Sequence, residues 1–244
     1  MTLLAVLLVL AALVVVADRV AANVADRELR TKLVAEMQAR DVGYQDLDVA
    51  IGGFPFLTQV LKGTYEKITI DLTQVTLRVD AARRATVPSL HVIALGVNAD
   101  AAQLAQGTAK VSANQVTGTA VITFATLLSL TDFGQFGLSD VTLADSAGGL
   151  AVTAKLTQAG VTVPISATAD ITVTGGQFKV NIRDATVVSV AAPQIVKTYL
   201  SGLATRNITA RLPLLPFGLT LDKFTVQPDG LAITATGHNV ALVR

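Results

Sequence analysis

Few side chains of this chain could take part in catalysis. The sequence holds two histidines, His91 and His238, which lie far apart. His91 falls in a strand pattern, where a histidine is typically packed or at the surface. None of the motifs HExxH, GxSxG and GxxxxGK occurs, and the absence of cysteine excludes disulfides, thiolate zinc sites and cysteine nucleophiles. We therefore predict that the protein has no catalytic residues and is not an enzyme.

Two charged clusters could instead hold an ion or a phosphate. Asp46 and Asp48 point outward from one predicted strand, but they lack the glycine and glutamate spacing of a Ca²⁺-binding EF-hand loop. Arg83 and Arg84, with Arg78 nearby, form a basic cluster. Such clusters are typical of solvated turns, although arginine also forms paired hydrogen bonds with phosphate. We predict no metal site and no cofactor, and we leave a role for the arginines at a lipid phosphate open.

Apolar contact is the chemistry that the sequence offers more richly. The segment Gly52-Gly53-Phe54-Pro55-Phe56 reads as the exit from a strand, since the glycines permit backbone angles closed to other residues and Pro55 fixes φ for a turn or a first helical position. Apolar residues then follow with helical spacing. Two interpretations stay open: a short helix that plugs one end of the core, or an apolar lid that touches acyl chains. The candidate lipid-binding residues here are Phe54, Phe56, Leu57, Val60 and Leu61.

Two further segments carry candidate lipid-binding residues. Residues 127–136 surround Gly134, and core packing is the alternative interpretation there. Residues 212–219 contain two prolines and a glycine, so they cannot form a regular helix or a central strand. They predict an apolar loop, either an ordinary connection or one at a cavity rim or membrane. The candidates in these two segments are Leu127, Leu128, Leu130, Phe133, Phe136, Leu214, Leu215 and Phe217.

The elements that must position these residues begin with a helix. Residues 18–40 are rich in helix formers and lack glycine and proline, with Leu29, Leu33 and Met37 at i+4 spacing on one side. We expect Gly43 to end this helix. Before it, residues 3–17 form an unbroken apolar run, intermediate between a signal sequence and a spanning helix. We predict a signal or membrane-anchor segment over residues 1–17, slightly favouring an uncleaved anchor, and a single domain over residues 18–244.

Strand patterns dominate the rest of the chain. The turns Gly148-Gly149, Gly175-Gly176 and Pro228-Asp229-Gly230 predict hairpins, and residues 193–204 predict a second helix. We therefore predict an α+β fold in which one long, curled antiparallel sheet wraps the N-terminal helix. The expected strands are residues 47–51, 68–79, 87–97, 108–124, 138–145, 149–157, 161–173 and 177–190, with two more around the last turn. Within them, the stretch VITFATLLSL leaves no polar face.

Composition narrows the class of partner. Apolar residues make up 51% of the chain and aromatic residues 5%, so the apolar excess is aliphatic. Charged residues make up only 15%, against about 25% in ordinary domains. A net charge of +1 gives no broad field for nucleic acid. Such a chain has either a very large core or an apolar cavity. Nothing in it sets the oligomeric state.

Two stretches resemble the actinobacterial LmeA-like phospholipid-binding family. One is IGGFPFLTQVLKG at residues 51–63, running on to EKITIDLTQV. The other is LPFGL at residues 215–219, followed by DGL and AITATGHNV. The sequence ADRVAANVADREL after the apolar segment also fits, whereas residues 98–190 carry no matching motif. The resemblance implies a fold similar to the tubular lipid-binding domains of bactericidal/permeability-increasing protein. It also implies an envelope protein that binds phospholipids, phosphoinositide types among them, and supports the assembly of lipid-linked mannans.

Lipid binding is the function that we expect. An acyl chain of about sixteen carbons loses about 12 kcal/mol on leaving a bilayer. An apolar tunnel of comparable area would offset that loss, so phospholipid acyl chains and the membrane surface are the expected partners. The alternative is a structural envelope scaffold with a solid core and a protein partner. The headgroup, and transfer as opposed to sensing, stay open.

Overall fold

A computed structural model shows three helices and eleven strands in the part of the chain that it describes. Helix α1 (Thr2–Ala39) runs without a break through the apolar segment and the predicted amphipathic helix. The short helices are α2 (Phe56–Lys62) and α3 (Phe124–Leu130). The described residues are 2–39, 41–78, 84–100, 110–130, 133–134, 137–146, 149–158, 160–174, 177–188, 194, 198, 208–211 and 219–243.

Helix α1 ends before Gly43, the residue that was expected to terminate it. Asp41 adopts the left-handed conformation with φ 55°, and the backbone N–H of Val42 donates to the carbonyl of Met37 at 2.9 Å. This six-residue closure is a Schellman motif, in which the residues at its two ends pack together, as Val42 and Met37 do in one apolar cluster. The expectation that Gly43 ends the helix is wrong, because Gly43 already forms an isolated β-bridge.

The first sheet is antiparallel, six-stranded and open. Its order is β1-β2-β3-β4-β11-β10, so the last two strands of the chain return to the free edge of β4. All six strands were expected, but β2 and β3 begin earlier than predicted, at Thr64 rather than residue 68 and at Arg84 rather than residue 87. The strands are β1 (Asp46–Gly52), β2 (Thr64–Arg78), β3 (Arg84–Asn98), β4 (Val111–Thr123), β10 (Thr220–Gln227) and β11 (Gly230–Val243).

The second sheet is antiparallel and five-stranded, in the order β5-β6-β7-β8-β9. The hairpins predicted at Gly148-Gly149, Gly175-Gly176 and Pro228-Asp229-Gly230 are confirmed by strand pairing on either side of each turn, although Gly149 and Gly230 are already the first residues of β6 and β11. Strand β9 was not predicted. The strands are β5 (Leu138–Ser146), β6 (Gly149–Gln158), β7 (Val161–Thr174), β8 (Gln177–Val187) and β9 (Ile208–Arg211).

The α+β class is confirmed, but the prediction of one long sheet is wrong. The described strands divide into two sheets, neither of them closed. The division has a physical cause, since β11 occupies the edge of β4 that β5 would need. The strand predicted to reach residue 124 also stops at Thr123, whose hydroxyl accepts the backbone N–H of Thr126 at 3.2 Å and so caps α3.

The predicted helix at 193–204 lies almost entirely outside the described residues. Of it, Gln194 and Thr198 are helical, and the Thr198 hydroxyl donates to the Gln194 carbonyl at 3.0 Å, as one helical turn allows.

Candidate functional site

One face of the six-stranded sheet is apolar from edge to edge. Because side chains alternate along strands, residues paired in register share a face. A single row of such residues crosses all six strands, and the rows on either side of it are equally free of charge. The central row is Val49, Ile70, Val92, Gly118, Ala235 and Leu221. The neighbouring row is Leu47, Leu72, Leu90, Ala120, Ile233 and Phe224.

The opposite face of the same sheet is polar. Its matching row is Asp48, Asp71, His91, Thr119 and Thr234. His91 is partly exposed there and its Nδ1 lies at hydrogen-bonding distance from the Asp71 carboxylate, so of the two expected places, packed or at the surface, it takes the surface. The titratable side chains of this row and the apolar row therefore lie on opposite sides of the sheet.

Helix α1 packs on the apolar face through two clusters. Its first half supplies Ala22, with Ala21 and Ala25 beside it, to a cluster that contains Val116. Its second half supplies four larger side chains to another cluster, around Leu47 and other residues of β1, β2 and β3. Those four are Leu29, Leu33, Val34 and Met37, which confirms the predicted stripe. In the described part of the chain, the helix thus covers this face mainly along β1.

The described residues leave an open position over the centre of the sheet. Among the described residues, no atom lies within 4 Å of the position that a Cβ on Gly118 would take. Its row neighbour Val92 belongs to the first cluster and Ala120, two residues along β4, to the second. Gly118, Val92 and Ala120 are all half-buried. This apolar space between two packed clusters is the candidate acyl-chain site.

The second sheet repeats the one-sided pattern. Register places Leu143, Val152, Ala167 and Ala185 in one row, with threonines and a lysine on the reverse side of β6. The two apolar faces meet in a cluster built on Phe124 of α3. That cluster joins Leu143, Leu150 and Val152 of the second sheet to Phe224, Val226 and Leu231 of the first. The apolar surface therefore continues from one sheet to the other.

The predicted lipid-binding residues in and just before α2 lie partly in the core and partly in solvent. Phe56 is buried against Tyr65, with ring centroids 6.3 Å apart, and Val60 packs on the same cluster. The other three are exposed by 54% for Phe54, 42% for Leu57 and 89% for Leu61. The core-plug interpretation therefore holds for Phe56 and Val60, and contact of the exposed residues with acyl chains stays a prediction.

Buried polar groups that the sequence did not single out fix α2 in place. Asp18 is only 1% exposed, and its carboxylate accepts the backbone N–H of Leu57 at 2.8 Å. Burial raises the pKa of Asp18, but the backbone N–H groups of Leu57 and Phe56 and the nearby Arg19 outweigh burial and hold that pKa below its ordinary value. A carboxylate directly after a long apolar run is the signal that could have revealed it.

Gln59 is a second buried anchor of α2. Its amide nitrogen donates to the carbonyl of Gly52 at 3.2 Å, and its amide oxygen accepts the backbone N–H of Glu66 at 2.8 Å. The side chain thereby ties the end of β1 to the start of β2. Gly53 must be glycine here, because φ is 96° and a Cβ would lie 2.6 Å from the Gln59 amide nitrogen.

The other predicted lipid-binding residues are only partly described. Leu127 packs on the cluster that joins the two sheets, and Leu128 and Phe133 are half-buried, in agreement with the core interpretation. Leu130 is the last residue of α3. Phe136, Leu214, Leu215 and Phe217, and the side chain of Leu130, lie outside the described residues.

The remaining candidate sites are weak. Within the described ranges, no three His, Asp or Glu side chains are grouped to hold a metal ion. Arg84 pairs with Asp41 at 3.1 Å, so one member of the predicted basic cluster has a protein partner, while Arg83 lies outside the description. In the same described part of the chain, no helix is both long enough and apolar enough to cross a membrane.

Comparison with known proteins agrees with this geometry. The family model described as LmeA-like phospholipid-binding matches residues 16–236, nearly the whole chain. No curated protein and no solved structure matches the chain. The match begins in α1, just before Asp18, and ends in β11, so it spans both sheets and the helix that covers the first of them. The chain belongs to the LmeA-like phospholipid-binding family.

Proposed function

We propose that the protein binds phospholipid by taking acyl chains onto the continuous apolar face of its two sheets, with the space at Gly118 as the central contact. The observation that carries this proposal is the separation of faces: uncharged rows cross one side of each sheet, and threonines, aspartates and His91 occupy the other. A solid-core scaffold would be filled at the sheet centre. Among the residues that the structure describes, the open position over Gly118 favours a ligand there instead.

The binding that we propose is not catalytic. His91 and His238 both lie in register positions of the polar face, His238 opposite Gln115 and His91 opposite Thr119. Acyl chains on the apolar face would be separated from them by the thickness of the sheet. The apolar face itself offers no titratable group in its central row, so it can hold a chain but has no acid, base or nucleophile to act on it.

We also propose that the protein works at the cell envelope, on the outer side of the plasma membrane. The apolar run at residues 3–17 supports export or attachment. Retention of that run is favoured because Asp18, which follows it, is buried and caps α2 within an unbroken helix. Phosphoinositide-type headgroups, transfer between membranes and a part in lipid-linked mannan assembly follow only from the family resemblance, and headgroup analysis of bound lipid tests the first of these.

A bulky residue at Gly118 tests the proposed acyl-chain site. In the full chain purified without detergent, Gly118→Trp should fill the open space and remove most of the co-purifying phospholipid while the circular dichroism spectrum stays that of a folded protein. Gly118→Ala is the matched control: it should keep the lipid and gain about 0.5–1 kcal/mol of stability, because alanine loses less backbone freedom in a strand. Quantitative mass spectrometry of extracted lipid reports the load.

A folded Gly118→Trp protein with an undiminished lipid load would overturn the assignment. If tryptophan prevents folding, the smaller Gly118→Leu replaces it in the same comparison. Absence of phospholipid from the wild-type protein itself would favour the scaffold function.

A further inference from the structure

Helix α2 and the residue Phe54 just before it present three large apolar side chains to solvent, beside the helix that carries the N-terminal apolar run. We call Phe54, Leu57 and Leu61 the α2 patch. Exposed apolar loops and short helices of this kind usually mark an interaction site, because ordinary surface loops are polar. The patch is not needed for the core, since Phe56 and Val60 supply the inward contacts of α2. Its apolar character therefore requires a partner.

The outer side of α1 carries a second exposed apolar surface. Side chains three, four and four residues apart lie on one side of the helix, away from the side that Asp18 and Ala22 turn to the sheet. These residues are Leu13, Val16, Val20 and Val24, all more than half exposed. The stripe spans about 16 Å along the helix axis at 1.5 Å per residue. Beyond it the same side becomes polar at Arg27 and Thr31.

Three contacts hold the α2 patch at the level where this stripe lies. The Asp18 carboxylate accepts the N–H of Leu57 at 2.8 Å. The Arg19 guanidinium donates to the carbonyl of Gly53 at 3.2 Å and lies 4.9 Å from the centre of the Phe54 ring. The patch and the stripe are therefore fixed relative to each other rather than joined by a flexible connection.

We propose that the α2 patch and the outer stripe of α1 from Leu13 to Val24 together dock on the surface of a phospholipid bilayer. The inference deepens the proposed function and rests on it, because a protein that exchanges bound phospholipid must meet a membrane. It assigns the exposed residues of α2 to the bilayer and leaves the acyl-chain site to the sheet.

A bilayer fits this surface better than a protein does. The stripe overlaps the apolar run at residues 3–17, which the sequence predicts to be a signal or membrane-anchor segment. Helix α2 contains no acidic residue and ends in the exposed Lys62, and Arg19 is 47% exposed above the Phe54 ring. Basic groups at the border of an apolar surface match the phosphates of lipid headgroups.

The chain has no cysteine, so a single label reports the depth of α2. We would attach an environment-sensitive fluorophore to Leu61→Cys in the full chain, which should fold because Leu61 is 89% exposed. Thr153→Cys, exposed on the polar face of β6, is the matched control. Both proteins are added to vesicles of phosphatidylcholine and phosphatidylglycerol. Quenching by aqueous iodide and by nitroxide lipids is then measured, and bound phospholipid is counted in the same samples.

The label at position 61 should be quenched by nitroxide lipid and lose about tenfold in iodide quenching on vesicles, while the label at position 153 stays open to iodide. A label at position 61 that stays open to iodide on vesicle-bound, lipid-loaded protein would overturn the docking inference and leave the proposed function intact. Protection that rises with protein concentration without vesicles would overturn it in favour of self-association. Docking without any bound phospholipid would instead overturn the proposed function.

Discussion

At the scale of single residues, two aspartates of α1 hold the segment from β1 to α2. Each accepts a hydrogen bond from a backbone N–H, but their pKa values shift in opposite directions. Asp18 accepts the backbone N–H of Leu57, and Asp26 accepts that of Ile51 at 2.7 Å. The pKa of Asp18 is lowered, but burial raises the pKa of Asp26, and the Asp48 carboxylate adds to the rise against the effect of the Ile51 N–H. The fold thus stabilises the ionised form of Asp18 and destabilises the ionised form of Asp26.

Replacing Asp26 by asparagine tests this difference. The amide oxygen can still accept the Ile51 N–H, but no charge is left to desolvate or to repel Asp48. A folded-state pKa above the unfolded one means that ionisation of Asp26 removes stability as pH rises through the folded pKa. Asp26→Asn should therefore have a higher unfolding temperature than wild type at pH 7. The increase should be only a few degrees, because solvent screens a partly exposed group. Below the pKa of Asp26 in the unfolded chain, the two proteins should unfold at the same temperature. An equal midpoint at pH 7 in thermal unfolding followed by circular dichroism would contradict it.

These residue contacts were the least predictable part of the site. Asp18, Asp26 and Gln59 each bond to backbone groups brought close only by the fold, and Asp18 and Leu57 are 39 residues apart in sequence. Local pattern carries no information on such a partner. The identity of the apolar residues in α2 was predictable, but their division into buried and exposed members depends on which side of α2 meets α1.

At the scale of elements, the periodicity of apolar residues predicted the helices and strands that local sequence determines. The i+4 stripe of α1 appears where expected, and β1 to β8 lie where predicted apart from small shifts at their ends, because both patterns follow from side-chain direction along a helix or strand. Helix α3 was missed because an apolar run without a polar face fits strand and helix equally, and the Thr123 cap decided for helix. The separation into two sheets was missed because it depends on β11 returning to β4 from more than a hundred residues away.

The two sides of α1 should respond differently to truncation. Leu33→Ala removes a half-buried contact with the sheet and should lower the free energy of unfolding by about 1–2 kcal/mol, below the range for fully buried leucine. Val24→Ala lies on the exposed side and should change it by less than about 0.5 kcal/mol. Urea denaturation of both variants provides the comparison. Equal losses would mean that the helix does not cover the sheet by its predicted stripe.

At the scale of the whole molecule, each sheet divides the chain into an apolar side and a polar side. The two apolar sides meet through Phe124 of α3, and the aliphatic excess of the composition is concentrated along them. The composition predicted either a very large core or an apolar cavity, and the register shows on which face of each sheet the apolar residues lie. Family membership agrees with phospholipid as the ligand of this surface.

The most direct test of this account is to cross-link a bound phospholipid through its acyl chain. The lipid would carry a diazirine near the end of one chain, be loaded onto the full protein without detergent, and be mapped by tandem mass spectrometry. We predict adducts on the apolar face around Gly118, at Val92, Ala120 and Ala235, which are its neighbours in register or along β4. Adducts confined to the polar row at His91, Thr119 and Thr234, or none at all despite bound lipid, would contradict the central claim that acyl chains occupy the apolar face.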